Sequence, residues 1–149
     1  NKVQLCEGPE WEYLHGKCYQ LITEQKNWQE AQDHCKTLKA KLAEPQSPCE
    51  SDLIHYFLQI TRPRDADVGG YVWIGIKDID TENTFVLASN DQPLKYEYWD
   101  LNEPNNWGDD EDCVHLSPTI NYGKWNDLKC SRKREFICEK RYYDPIYHI

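Results

Sequence analysis

EYWDLNEPNNWGDDEDCVHLSPTINYGKWND, residues Glu97–Asp127, is the stretch on which the reading turns. Between Glu97 and Asp112 it carries Glu97, Asp100, Glu103, Asp109, Asp110, Glu111 and Asp112, with no Lys or Arg among them. Carboxylates set so close repel one another unless a cation lies between them. Carboxylates, Asn amides and backbone carbonyls are hard oxygen donors. With no His or thiolate in the core of the run, the ion that fits is Ca²⁺. A bare acidic run is ordinarily a solvated face, and three features argue for more here. Pro104 puts a rigid residue between the oxygen donors Glu103 and Asn105. Trp99 and Trp107 flank the acids. Asn126-Asp127 adds a second donor pair after a short hairpin.

Outward from this stretch, the chain is 149 residues long, the length of one domain with a single core. Its formal charge of −9 argues against nucleic acid and against an anionic membrane surface as partners and agrees with a cation-loaded site. No apolar run is long enough to span a bilayer, so no membrane insertion of this segment is expected. No leader is visible at Asn1, which suggests a mature chain or an excised ectodomain. No Asn-x-Ser/Thr acceptor is present.

The cysteines are Cys6, Cys18, Cys35, Cys49, Cys113, Cys130 and Cys138. None forms a CxxC pair, and no His stands at zinc-finger spacing from them. A disulfide framework in a secreted protein is the reading. The odd cysteine either stays free or bridges two chains.

Residues 5–22 read as a hairpin punctuated by Gly8-Pro9 and His15-Gly16, with Cys6 and Cys18 placed to staple it. Trp28, Ala31, Cys35, Leu38 and Leu42 fall near helical spacing and predict a helix from Asn27, its N-cap, to Ala40. Lys41–Pro48 reads as a connector. A second helix is expected from about Glu50 to Ile60, behind a Ser or Asp cap and ended by Arg62-Pro63. Val68-Gly69-Gly70 reads as a turn into the apolar strand Tyr71–Ile76. From Lys77 to Asp112 there is little periodicity, and so long an irregular stretch in a compact domain is usually functional or ligand-held. Short strands are expected at Cys113–Leu116, Gly123–Trp125 and Glu135–Lys140. The tail from Arg141 to Ile149 has no clear assignment.

Taken together, these residues resemble the C-type lectin-like domain over nearly the whole chain, Cys6 to Cys138. The marks are Cys6 and Cys18, Cys35, WIGI at Trp73–Ile76, EPN at Glu103–Asn105, Cys113, WND at Trp125–Asp127, Cys130 and Cys138. Glu111 two residues before a Cys, set between EPN and WND, makes the pattern specific. The resemblance implies an α+β fold: two helices on small antiparallel sheets, a long calcium-binding loop and disulfide staples, in one domain over residues 1–149 with its core at about 6–140. It also implies the pairings Cys6–Cys18, Cys35–Cys138 and Cys113–Cys130. Cys49 has no partner in that pattern, and an interchain disulfide giving a homodimer is expected.

In sugar-binding members the EPN and WND residues hold one Ca²⁺. Carried over residue by residue, the resemblance names Glu103, Asn105, Glu111, Asn126 and Asp127 as ligands, with the Glu103–Pro104 bond cis. Two open coordination positions would take neighbouring sugar hydroxyls, the acids accepting and the amides donating hydrogen bonds. EPN goes in the family with equatorial 3- and 4-hydroxyls, hence mannose, N-acetylglucosamine and fucose-type glycans. Trp107 stands where an aromatic in galactose binders stacks on the sugar. It is read as a sugar contact with some tolerance of galactose or N-acetylgalactosamine, or as a loop anchor. A second Ca²⁺ is implied at Asp78, Glu82, Asn106, Glu111 and Asp112.

Catalytic chemistry is not indicated. The five His are scattered, and no GxSxG, HExxH, P-loop or dinucleotide fingerprint occurs. Glu103 and Glu111 as a glycosidase pair would need a carboxyl of raised pKa, and a bound Ca²⁺ does the opposite. The turn Arg132–Arg134 reads as a solvated turn, or as a basic group that favours sulfated ligands. The expectation is therefore a secreted Ca²⁺-dependent lectin, in a setting such as innate immune recognition of microbial glycans. The alternative is a module of the same fold that uses Ca²⁺ structurally and binds protein or mineral surfaces.

Overall fold

A computed structural model of the chain describes residues 6–61, 72–78, 84–104, 112–116 and 123–142. The elements in order are β1 (Glu12–Leu14), β2 (Lys17–Lys26), α1 (Trp28–Thr37), β3 (Lys41–Leu42), α2 (Pro48–Thr61), β4 (Val72–Lys77), β5 (Val86–Leu87), β6 (Cys113–Leu116), β7 (Trp125–Leu128) and β8 (Arg134–Arg141). The strands join in the order β1-β2-β8-β4-β6-β7, with β3 added on β8 and β5 on β4. Small antiparallel sheets were expected. The strands instead form one hydrogen-bonded sheet, in which β4 and β8 run parallel through Val72↔Glu135 and Trp73↔Phe136. Parallel neighbours need a long crossover, and the stretch from β4 to β8 supplies it.

Helix α1 starts where the sequence places it. The Asn27 side chain accepts from Glu30 N–H at 2.8 Å while the Glu30 carboxylate accepts from Asn27 N–H, a reciprocal capping box. The helix stops at Thr37, short of Ala40, because Lys39 turns left-handed (φ +57°) and Ala40 N–H donates back to Cys35 O at 2.9 Å. Trp28, Ala31 and Cys35 form its buried stripe, and Trp28 Nε1–H donates to Ile74 O at 2.9 Å, fixing the helix to β4. Helix α2 begins at Pro48, earlier than Glu50. Proline has no N–H to leave unsatisfied at the first position, and Ser47 Oγ accepts from Glu50 N–H at 3.2 Å. Leu42 continues neither the helical stripe nor a connector: it pairs with Cys138, making β3.

Gly75 of the WIGI strand lies where two elements almost touch. A Cβ there would sit 2.9 Å from Glu44 Cγ and 3.0 Å from Leu42 O. The close approach lets Gly75 N–H donate to Ala43 O at 2.8 Å. Disulfides join Cys6–Cys18, Cys35–Cys138 and Cys113–Cys130, the three pairings the resemblance implied. Cys49 is exposed and free. The turn at Val68–Gly70, the helix stop at Arg62-Pro63 and residues 143–149 of the tail lie outside the described residues.

Candidate functional site

The last strand before the site is the WND segment itself. A strand was expected at Gly123–Trp125, but the ladder runs over Trp125–Leu128, with Val114 opposite Asp127 and His115 opposite Asn126. Asn and Asp are poor strand formers, which is why sequence pattern stops the strand too early. Gly123 precedes it at φ +76°, a conformation for which glycine is suited.

Trp125 is fully buried and gathers the preceding loop around it. Its ring meets Tyr96 at 5.2 Å and Trp99 at 5.6 Å, and Trp99 also packs on Phe85 at 4.6 Å. Trp99 is thus an anchor of the acidic loop. The backbone follows the rings: Trp125 N–H donates to Tyr98 O and Asp100 N–H to Trp125 O, both at 2.8 Å. Glu103 N–H then closes a turn on Asp100 O at 3.0 Å. Glu103 therefore leaves from a turn anchored on β7, and its bond to Pro104 is cis, as the resemblance implied.

A residue that sequence reasoning did not single out holds this frame from below. Ser51, in the first turns of α2, is fully buried. Its Oγ accepts from Trp125 Nε1–H at 3.2 Å and shares a hydrogen bond with the Tyr96 hydroxyl at 2.9 Å. Its neighbour Asp52 accepts from the Tyr98 hydroxyl at 3.0 Å. The one signal in the sequence is a small polar residue on the apolar side of a helix, which is common and easily passed over.

Of the first ligand set, Glu103, Asn126 and Asp127 are described, and Asn105 and Glu111 lie outside the described residues, as does Trp107. Asp127 is fully buried, and Glu103 Oε2 and Asn126 Oδ1 are buried oxygens. Asn126 Oδ1 has no hydrogen-bond donor among the described residues. Such an oxygen costs roughly 1–3 kcal/mol unless something positive meets it. A hard cation suits an amide oxygen beside carboxylates, so this donor set fits Ca²⁺. Of the second set, Asp78 and Asp112 are described and adjoin: Asp78 N–H donates to Asp112 O at 2.9 Å. Asp78 is buried at the end of β4. Glu82, Asn106 and Glu111 lie outside the described residues. No group of three or more His, Cys, Asp or Glu side chains forms a metal cluster among the described residues. The missing donors of both sets are the undescribed ones, or amides such as Asn126.

His115, opposite Asn126 on β6, is pushed down to about 3 by burial, with the Arg134 guanidinium adding to the effect. It is neutral at ordinary pH and packs against Trp73 at 5.9 Å. Arg132 and Lys133 are exposed in the turn before β8.

Comparison with known proteins identifies the fold that carries these two oxygen-rich segments. The family model described as Lectin C-type domain matches residues 24–140. A "C-type lectin mannose-binding isoform" from Oxyuranus scutellatus is 35% identical over 146 residues, 95% of this chain and 89% of that one. Among solved structures, the mouse scavenger receptor C-type lectin carbohydrate-recognition domain superposes with a TM-score of 0.77 at 28% identity, covering 91% of this chain and 98% of that one. The cow C-type carbohydrate-recognition domain of CD23, solved in the presence of a GlcNAc2Man3 oligosaccharide, gives 0.75 at 30% identity over 92% and 97%. The chain belongs to the C-type lectin family. Its relatives are carbohydrate-binding proteins and not enzymes, and the family generally binds Ca²⁺. No described helix is long and apolar enough to cross a membrane.

Proposed function

We propose that this domain is a secreted, Ca²⁺-dependent lectin that takes neighbouring equatorial hydroxyls of mannose, N-acetylglucosamine and fucose-type sugars. The observation that carries the reading is Asn126 Oδ1, a buried acceptor with no described donor, next to the buried carboxylate of Asp127. Glu103, Asn105, Glu111, Asn126 and Asp127 form the ligand set. Bound there, Ca²⁺ would supply open coordination positions for two sugar hydroxyls. Glu103 and Glu111 then accept a hydrogen bond from the hydroxyls, and Asn105 and Asn126 donate one through their amide N–H groups. The amides and acids are both needed, because a hydroxyl held in this way must donate and accept at once. Trp107 supplies an apolar face for the ring edge or an N-acetyl methyl, and leaves some room for galactose. Asp78, Glu82, Asn106, Glu111 and Asp112 form a second Ca²⁺ set that steadies the loop.

The names of relatives support the mannose-type preference by similarity alone. A site of this kind holds Ca²⁺ at about 10⁻⁴–10⁻³ M, the range of extracellular modules. Its sugar affinity is weak, so useful avidity comes from valency. Cys49, the described cysteine outside the three bridges, supplies that valency by joining two copies; non-reducing electrophoresis reads this directly, and a monomer band without reductant removes the dimer.

The main test is retention on mannose-agarose. Binding with Ca²⁺ and release by EDTA are expected. Glu103→Gln with Asn105→Asp is expected to shift the preference toward galactose. Ca²⁺-independent retention, or no retention of mannose, N-acetylglucosamine or fucose, sinks the reading.

A further inference from the structure

We propose that a second ligand site, for an oxyanion such as a sulfate ester carried on a glycan, lies in the cavity between β8, β2, β3 and the segment from Leu87 to Lys95. The cavity measures about 450 Å³ and its charged lining is Lys17, Lys41, Lys95, Arg141, Glu44 and Glu139. It shares no residue with either Ca²⁺ set.

Strand register builds it. Glu139 and Arg141, two apart on β8, project to one face. Lys41 lies opposite Glu139 and Lys17 opposite Arg141, so four charged side chains converge. The two carboxylates are buried and fully engaged. Glu44 receives Lys41 Nζ at 2.8 Å, Ser89 N–H at 2.8 Å and Ser89 Oγ–H at 2.9 Å. Glu139 is held by Lys17 Nζ at 2.9 Å and accepts the Glu44 N–H. Lys17 also reaches Glu50 at 3.3 Å, and Asp91 near the rim is taken by Lys77 at 3.3 Å.

Lys95 and Arg141 remain. Neither has an ion pair among the described residues, and both are exposed at the mouth. The amides of Asn90 and Gln92 add donors beside them. A concave surface with two cations that have no described ion pair, amide donors and spent carboxylates selects an oxyanion. On a chain of net charge −9 it is a local reversal of sign. A glycan-borne anion is the source favoured, since the family binds carbohydrate.

The test is binding of fluorescent low-mass dextran sulfate to the full chain in EDTA at low salt, with uncharged dextran as blank. Binding is expected, and it falls as salt rises. Lys95→Gln and Arg141→Gln should each weaken it about tenfold, the worth of one charge-assisted hydrogen bond. Arg132→Gln with Lys133→Gln, in the exposed turn, should leave it unchanged. Thermal midpoints check that each variant is folded. Competition by sodium sulfate, against sodium chloride of equal ionic strength, tells a site for any free oxyanion from one that needs the glycan. No binding in EDTA overturns the proposal. So does binding that survives the pocket variants, or that is lost with the turn variant. Because Ca²⁺ is absent throughout, the result does not depend on the Ca²⁺ reading.

Discussion

Ser51 shows how a single hydroxyl sets the frame of the ligand loops. It satisfies the Trp125 indole and the Tyr96 hydroxyl together. Ser51→Ala leaves both polar groups without that partner in a buried place and should cost about 1–3 kcal/mol. A denaturant melt measures this, and Ca²⁺-dependent sugar retention should weaken in parallel because β7 loses its support. His115 carries a pH signature. Its folded pKa is about 3, depressed by burial, and an unfolded histidine titrates near 6.5. Above pH 6.5 both states are neutral and stability is whole. Below it the unfolded chain takes a proton that the fold refuses, so stability falls as pH drops toward 3. At pH 4.5 the loss is roughly 2–3 kcal/mol. His115→Phe, compared with the parent in EDTA at both ends of that window, should flatten that part of the slope.

At the scale of elements, Gly123 links α2 to the strand bearing Asn126 and Asp127. A Cβ there would stand 2.3 Å from Ser51 O, at φ +76°. Gly123→Ala should destabilise by about 2 kcal/mol or more, read as a lowered midpoint, and it should also loosen β7. This contact could not be read from sequence, since it depends on a helix some seventy residues away. What was legible were local signals: the capping pair Asn27 and Glu30, the apolar spacing of Trp28, Ala31 and Cys35, and the buried run of β4. What was missed were strands defined by their partners. β3 is two residues long, and β7 is written in residues that disfavour strands, so only pairing with β8 and β6 creates them. Of the site, the residue types and their order were legible because the EPN and WND motifs are contiguous. The Ser51 support and the cavity of Lys95 and Arg141 were not, because strand register and loop packing assemble them from distant parts of the chain.

For the whole molecule, the Cys35–Cys138 bridge closes a span of 103 residues. In the chain-entropy model such a bridge contributes about 4–5 kcal/mol. Cys49 is the next cysteine after Cys35 in the chain, far nearer in sequence than Cys138, and so is placed to compete for Cys35 during oxidation. Cys49→Ser should raise the yield of oxidative refolding, scored by the fraction reaching the native three-bridge form on reversed-phase chromatography. An unchanged yield would show that Cys49 is not a kinetic decoy. The same variant should run as a monomer without reductant.

The placement of β8 has a consequence for biogenesis. It is the last of the described strands, yet it sits in mid-sheet, between β2 and β4, with β3 also on it. Until that segment is made, β1-β2 cannot join β4-β6-β7, β3 has no strand to pair with, and Cys35 has no native mate. Synthesis therefore delivers the two halves of the sheet unjoined, and the making of β8 licenses their union. A chain that stops before Arg134 should be more protease-sensitive than the full chain, most of all at β3 and at the β2 edge that β8 would cover.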